Sequence, residues 1–161
     1  MLVTKSAPEF KTMAVMPDNS FKEVSLSDYA GKKIALFFYP LDFTFVWPTE
    51  LIAFDNRLDD FEKRNVQVLG CSVDSHFSHL KWKELDTNNG GIGNVGYPLL
   101  SDITKSIARS YDVLLGTTEA YIETEDEAET TTVGGGVSLR GSFLIDEKFP
   151  NLDLSNKPKQ I

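Results

Sequence analysis

The chain has 161 residues, a formal net charge of −8, one cysteine and 41% hydrophobic residues. These values are typical of a single soluble globular domain, and the absence of a basic stripe or of an apolar run of about 20 residues argues against nucleic-acid binding and a membrane span. A lone cysteine excludes an intramolecular disulfide, and the first residues lack a secretory signal pattern, so we expect a cytoplasmic location.

The first part of the chain predicts a hairpin followed by a buried strand. Short apolar alternation on both sides of Pro17–Ser20 is typical of two strands joined by a turn. A polar connector at 25–33 predicts one helical turn. The continuous apolar run Ile34–Tyr39 then predicts the first long buried strand.

A loop and a helix follow this strand. Apolar residues spaced by three and four positions predict one amphipathic helix beginning at Pro48; they are Leu51, Phe54, Leu58 and Phe61. Unpaired backbone N–H groups and the positive end of the dipole at a helix N-terminus favour an anion or a thiolate. We therefore expect the chemistry of the protein in the loop at 40–47.

Strand and helix patterns continue to alternate. Buried strands are predicted at Val66–Val73 and at Tyr97–Ser101, with a helix after each, and Asp74-Ser75 could cap the first of these helices. A last strand is predicted within Val137–Asp146. Short links between alternating strands and helices predict an α/β fold with a partly parallel sheet.

The segment at about 116–136 breaks this pattern. It holds six acidic residues, no Lys or Arg, and ends in three consecutive glycines. This composition predicts a flexible acidic loop within one domain that spans 1–161, and a solvated loop is favoured over one that binds a cation or a basic partner. The tail at about 147–161 is predicted to be loosely packed.

The segment at 37–50 carries a family resemblance. Its sequence is Phe37-Phe-Tyr-Pro-Leu-Asp-Phe-Thr-Phe-Val-Trp-Pro-Thr-Glu50, which resembles the active-site segment of 2-Cys peroxiredoxins of the alkyl hydroperoxide reductase type. Further motifs follow in the family's order at Val68–Trp82, Tyr97–Asp102 and Leu139–Asp146. The resemblance implies a thioredoxin-like fold, in which helices flank a central mixed sheet.

The same resemblance implies a function. Such proteins reduce hydrogen peroxide and alkyl hydroperoxides through a cysteine thiolate, take electrons from a thioredoxin-like or flavoprotein reductant, form homo-oligomers and use no cofactor or metal. It also implies roles for individual residues. Thr44 would offer its hydroxyl to thiolate and peroxide, Arg140 would supply positive charge, Glu50 would orient that arginine, and Pro40 would shield the pocket.

Three departures from the family pattern follow from the same resemblance. Trp47 stands where the family has the peroxidatic cysteine, so the chain as written is predicted to be inactive. The acidic segment is an insertion. The C-terminal region that carries the resolving cysteine in the family is absent from these 161 residues, which would weaken assembly, and Cys71 matches neither redox position. An indole also overfills a pocket shaped for sulfur, so we expect the helix start at Pro48 to shift or partly unwind.

Several alternatives stay open on the sequence. Trp47 could be an engineered or selected substitution, a natural replacement in a pseudoenzyme that acts as a binding scaffold or chaperone-like protein, or a UGA codon read as tryptophan. Cys71 lies among apolar residues and is predicted to be a buried structural cysteine. His76 and His79 are three residues apart, and surface or helix-capping roles are favoured for them over a metal pair.

Overall fold

The computed structural model describes residues 5–44, 47–116, 118–123, 128–133 and 136–147, and at Trp47, 118–123 and 128–133 it describes the backbone alone. The strands are β1 Lys11–Val15, β2 Phe21–Ser25, β3 Lys33–Phe38, β4 Val66–Ser72, β5 Leu99–Ser101, β6 Leu114–Leu115, β7 Thr118–Glu123, β8 Ala128–Val133, β9 Val137–Ser138 and β10 Gly141–Ile145. The helices are α1 Trp47–Asp55, α2 Leu58–Glu62, α3 His76–Glu84 and α4 Ser106–Ser110, with 3-10 turns at Leu26–Tyr29 and Thr87–Asn89. None of these helices is long and apolar enough to cross a membrane.

A six-stranded sheet with the order β10-β3-β4-β5-β1-β2 forms the centre of the molecule. The strands β3, β4 and β5 run parallel, while β10 pairs with β3 and β1 pairs with β5 in the antiparallel sense. The predicted hairpin is present as β1 and β2. The predicted α/β class with a partly parallel sheet is confirmed.

The core lies on both faces of this sheet, as expected for parallel strands covered by helices. On one face, Ile107 of α4 and Tyr111, the residue that follows α4, belong to a cluster that contains Leu36 and Leu69. On the other face, Trp82 of α3 packs with side chains of α1 and of the inner strands. Because β3 and β4 run parallel, their carboxyl ends lie at the same edge of the sheet, and the predicted active-site loop begins there.

Two helix predictions are corrected. The single helix predicted from Pro48 is divided, because the chain leaves helical geometry at Arg57, where φ is −115° and ψ is 12°. The carboxylate of Asp55 accepts a hydrogen bond from the backbone N–H of Gly96 at 2.6 Å, which holds the end of α1 against a loop. The helical spacing of Ile103, Ile107 and Tyr111 predicts a longer helix than α4, which begins at Ser106. The side chain of Asp102 caps α4 by accepting from two of its N–H groups, and Ile103 lies before the helix and is exposed.

The sequence predicted a loop for the whole acidic segment, but the structure shows two strands in it. The strands β7 and β8 form an antiparallel hairpin with Thr118 opposite Val133 and Glu123 opposite Ala128. Runs of threonine with valine, isoleucine and tyrosine favour extended backbone, and this preference was hidden by the acidic and glycine content. The hairpin does not join the six-stranded sheet. Of the predicted loose tail, the residues beyond 147 lie outside the described part of the chain.

Candidate active site

The loop at 40–44 continues directly from β3. The backbone N–H of Tyr39 donates to the carbonyl oxygen of Cys71 at 3.1 Å, so the ends of β3 and β4 stay together as the loop departs. Pro40 is half-buried. Thr44, which is also half-buried, donates from its hydroxyl to the carbonyl oxygen of Leu41 at 2.9 Å.

Helix α1 opens on the far side of this loop. Its backbone is helical from Trp47, and Pro48 lies in the first turn, where a missing N–H costs nothing. The partial unwinding that we expected at the helix start is therefore not seen, and the expected shift stays a prediction. The side chain of Trp47 lies outside the described part of the structure, as do residues 45 and 46.

Glu50 and Arg140 are brought together from opposite ends of the sequence. Gly141 pairs with Phe38 at the end of β3, so Arg140, one residue earlier, lies beside the start of the loop. The Arg140 Nη2 group donates to Oε2 of Glu50 at 2.7 Å. Since Glu50 is in the first turn of α1, this ion pair places a guanidinium group next to a helix N-terminus.

A buried polar cluster that the sequence did not predict lies under the loop. His79 of α3 is fully buried and pairs through Nδ1 with Oδ2 of Asp42 at 2.7 Å, so the expectation of a surface or capping histidine is wrong for this residue. The true cap of α3 is Ser75, whose hydroxyl accepts from the N–H of Ser78. The spacing of His79 and Trp82 on one helix face was the sequence signal for burial, but nothing local marked Asp42 as its partner.

The remaining titratable groups near the loop are affected by burial. Burial raises the pKa of Asp74, whose carboxylate accepts from the backbone N–H of Asp42 at 2.6 Å. Burial also raises the pKa of the Cys71 thiol well above its ordinary value, and Cys71 is fully buried in β4 as predicted. It is thus poorly suited to act as a nucleophile. Within the described ranges, no three His, Cys, Asp or Glu side chains come together in a way that could hold a metal ion.

Comparison with known proteins places this arrangement in a family. Residues 3–149 match the AhpC/TSA family. The chain belongs to this family. It is 54% identical over 144 residues to the mitochondrial thioredoxin-dependent peroxide reductase of Drosophila melanogaster, an alignment that covers 89% of the chain and 54% of the relative. The chain therefore spans about half the length of that family member.

Solved structures of family members confirm the thioredoxin-like fold. The reduced 2-Cys peroxiredoxin of Plasmodium vivax superposes with a TM-score of 0.76 at 49% identity, covering 91% of this chain and 80% of that one. Prx1a of Plasmodium yoelii, described as forming an artifactual octamer when modified at its N-terminus, superposes with a TM-score of 0.73 at 50% identity. That alignment covers 89% of this chain and 73% of that one.

Proposed function

We propose that this chain carries the site of a peroxiredoxin-type thiol peroxidase, acting on hydrogen peroxide and alkyl hydroperoxides, in which Trp47 occupies the position of the peroxidatic cysteine. The chain as written is then inactive as a peroxidase. The observation that carries the proposal is the contact between Glu50 and Arg140 at 2.7 Å, placed at the first turn of α1 and next to the loop that holds Thr44.

The reaction explains why these groups would be needed. A thiolate attacks one peroxide oxygen, the O–O bond breaks, and the second oxygen leaves as an alcohol or as water after taking a proton. The sulfur becomes a sulfenic acid, which a dithiol reduces back to the thiol with formation of a disulfide and water. A guanidinium group and a helix N-terminus stabilise a thiolate at neutral pH. Here α1 begins at residue 47, and the guanidinium group of Arg140 pairs with Glu50 in the first turn of that helix.

Tryptophan cannot perform this step, because an indole has no thiol to be oxidised to a sulfenic acid. Cys71 cannot replace it, since it is fully buried within β4 and burial raises the pKa of its thiol. Codon sequencing separates the origins of Trp47: UGG excludes a misread UGA codon, whereas UGA supports selenocysteine at this position.

The test is peroxide consumption with a dithiol reductant, measured on the chain as written and on the Trp47→Cys variant. We expect turnover from Trp47→Cys and none from the parent. A matched control adds Arg140→Gln to Trp47→Cys and should lower the rate, because the group that stabilises the thiolate is removed. Failure of Trp47→Cys to react with peroxide, in a variant with parent-like stability, would contradict the proposal.

Reductant, assembly and location are parts of the same proposal. We expect the reductant to be a thioredoxin-like protein or a flavoprotein, and the name of the Drosophila relative supports thioredoxin. The single cysteine supports a cytoplasmic location. A homo-oligomer is supported by an exposed aromatic cluster, in which the Phe21 ring lies 4.7 Å from His76 and 5.3 Å from Phe77. Light scattering tests the assembly, and a monomer at all concentrations would contradict it.

A second function is favoured by the acidic hairpin. The strands β7 and β8 form a sheet of their own within a stretch that has six acidic residues and no basic ones, as a non-catalytic scaffold presenting an acidic element would require. Binding of an oligolysine peptide, lost on replacing residues 118–133 by a short glycine linker and weakened by salt, would support this reading. Equal binding by both proteins would count against it.

A further inference from the structure

The feature that the proposed function leaves unexplained is the buried pair under the active-site loop. The side chains of His79 and Asp42 are 0% and 1% exposed, and Nδ1 lies 2.7 Å from Oδ2. The second ring nitrogen, Nε2, lies 3.0 Å from the carbonyl oxygen of Leu100 in β5. One imidazole thus joins α3 to the sheet and to the loop that follows β3.

The protons of this pair are fixed by its partners. The carbonyl oxygen of Leu100 can only accept, so Nε2 of His79 carries a hydrogen. A single proton therefore lies between Nδ1 and Oδ2 of Asp42. With a second proton on this contact, two donors would face each other. Without the shared proton, the lone pair of Nδ1 would face a carboxylate. The contact is strong only with one shared proton.

Asp42 is held from three sides. Besides His79, its Oδ1 accepts from the hydroxyl of Tyr39 at 3.0 Å, and its backbone N–H donates to Oδ2 of Asp74 at 2.6 Å. Both carboxylate oxygens and the amide are thus occupied by groups on three different parts of the fold. Asp42 is a fixed point in a loop whose neighbouring side chains, Leu41 and Phe43, are exposed.

The backbone on the far side of Asp42 needs such a fixed point. Phe43 has φ of 58°, in the left-handed region that a bulky aromatic residue rarely adopts. Such a conformation persists only where the surroundings over-determine it. Thr44 follows immediately, and its hydroxyl reaches back to the carbonyl oxygen of Leu41. The position of Thr44 therefore depends on how firmly Asp42 is held.

We propose that His79 is a positioning residue for the active-site loop: through its shared proton with Asp42 it holds the strained turn at Phe43 and so places Thr44 for peroxide binding. This inference rests on the proposed function for the role of Thr44. We call the hold of His79 on Asp42 the clamp, and it rests only on the contacts of these two residues.

The two nitrogens of the ring allow a matched pair of variants in the Trp47→Cys background. In His79→Asn the side-chain amide reaches the place of Nδ1, so it can donate to Asp42 while the contact with Leu100 is lost. In His79→Gln the amide reaches the place of Nε2, so the contact with Leu100 is kept and Asp42 loses its partner. Each variant removes one hydrogen bond from the same buried residue, but only His79→Gln releases the loop.

Two measurements are made on each variant at a temperature well below its unfolding midpoint. The first is the second-order rate constant with hydrogen peroxide, and the second is amide hydrogen exchange of residues 41–44. We expect His79→Gln to lower the rate constant by about tenfold or more and to speed exchange in the loop, because small displacements of positioning groups have effects of about this size. We expect His79→Asn to stay close to Trp47→Cys in both measurements.

Equal effects of the two variants, or no effect of either, would overturn the inference. If His79 only stabilised the fold, the loss of either hydrogen bond would have the same consequence. If Trp47→Cys does not react with peroxide, the proposed function fails, and hydrogen exchange alone decides on the clamp. If His79→Gln does not fold, Asp42→Ala takes its place, because it breaks the contact with His79 from the side of the loop and keeps the imidazole ring. Faster exchange in the loop of that variant would support the clamp, and unchanged exchange would refute it.

Discussion

Lys83 offers a quantitative test of the packing described here. It is 3% exposed, and its ammonium group donates to the carbonyl oxygen of Met16 at 2.8 Å. Burial lowers the pKa of Lys83 from 10.5 to about 8, and the charges of Asp18 and Asp55 offset part of this effect. Replacing Lys83 by methionine removes the buried charge and keeps a side chain of similar length. The Met16 oxygen keeps a donor, because the N–H of Asn19 also bonds to it at 2.9 Å.

The sign of the effect follows from linkage. The folded protein binds fewer protons at Lys83 than the unfolded chain between pH 8 and pH 10.5, so the parent gains stability as pH rises through this window. Below it, the full cost of charging a buried lysine is present. One pKa unit is worth about 1.4 kcal/mol, so the free energy of unfolding of Lys83→Met should exceed that of the parent most at about pH 7. This advantage should shrink by about 2 kcal/mol by about pH 10.

Urea unfolding followed by tryptophan fluorescence, at several pH values between these limits, gives the difference in free energy directly. Groups that titrate equally in both proteins cancel in that difference. Lys81→Met is the matched control: Lys81 lies on the same helix, is exposed and contacts only Glu84 among the bonds described, so its substitution should leave the pH dependence of the parent unchanged. A difference between Lys83→Met and the parent that stays constant with pH would refute the reasoning.

Substitutions at three further positions separate the site from the core. Glu50→Gln in the Trp47→Cys background should lower the peroxide rate but change stability by less than about 1 kcal/mol, because its pair with Arg140 is exposed; stopped-flow kinetics and urea unfolding measure the two effects. Asp42→Ala leaves His79 buried without its partner and should lower the free energy of unfolding by about 3–5 kcal/mol. Asp42→Asn should lower it less, because its amide can donate to a neutral imidazole ring. A smaller loss of stability in Asp42→Ala than in Asp42→Asn would contradict the buried pair. Gly70→Ala would place a methyl group 2.9 Å from two buried side chains and should cost about 1–3 kcal/mol in thermal unfolding; an unchanged midpoint would refute this close packing.

The alternation of strands and helices could be predicted because it depends on short-range patterns. The run Ile34–Tyr39 is apolar at every position, and in the structure every residue of it is buried except Ala35, which is half-buried. Glu50 and Arg140, chosen by resemblance to a family motif, are in contact although 90 residues separate them. Neither periodicity nor composition could have paired them.

The polar interior could not be predicted because its partners are distant in sequence. The helix α3 buries His79 and Lys83 and exposes Phe77, the reverse of what hydrophobicity suggests. His79 finds Asp42, 37 residues earlier, and Lys83 finds the carbonyl oxygen of Met16, 67 residues earlier. Burial of a polar group is favourable only once its hydrogen-bond partner is known, and that depends on the tertiary fold.

The central claim is that this chain retains a site able to activate a thiol at position 47. The most direct measurement treats the Trp47→Cys variant with one equivalent of hydrogen peroxide, traps sulfenic acid with a dimedone probe and locates the adduct by peptide mass spectrometry. We expect an adduct on the introduced cysteine, none on Cys71, and a weaker signal when Arg140→Gln is added. Labelling of Cys71 instead, or no labelling of a well-folded Trp47→Cys variant, would contradict the claim.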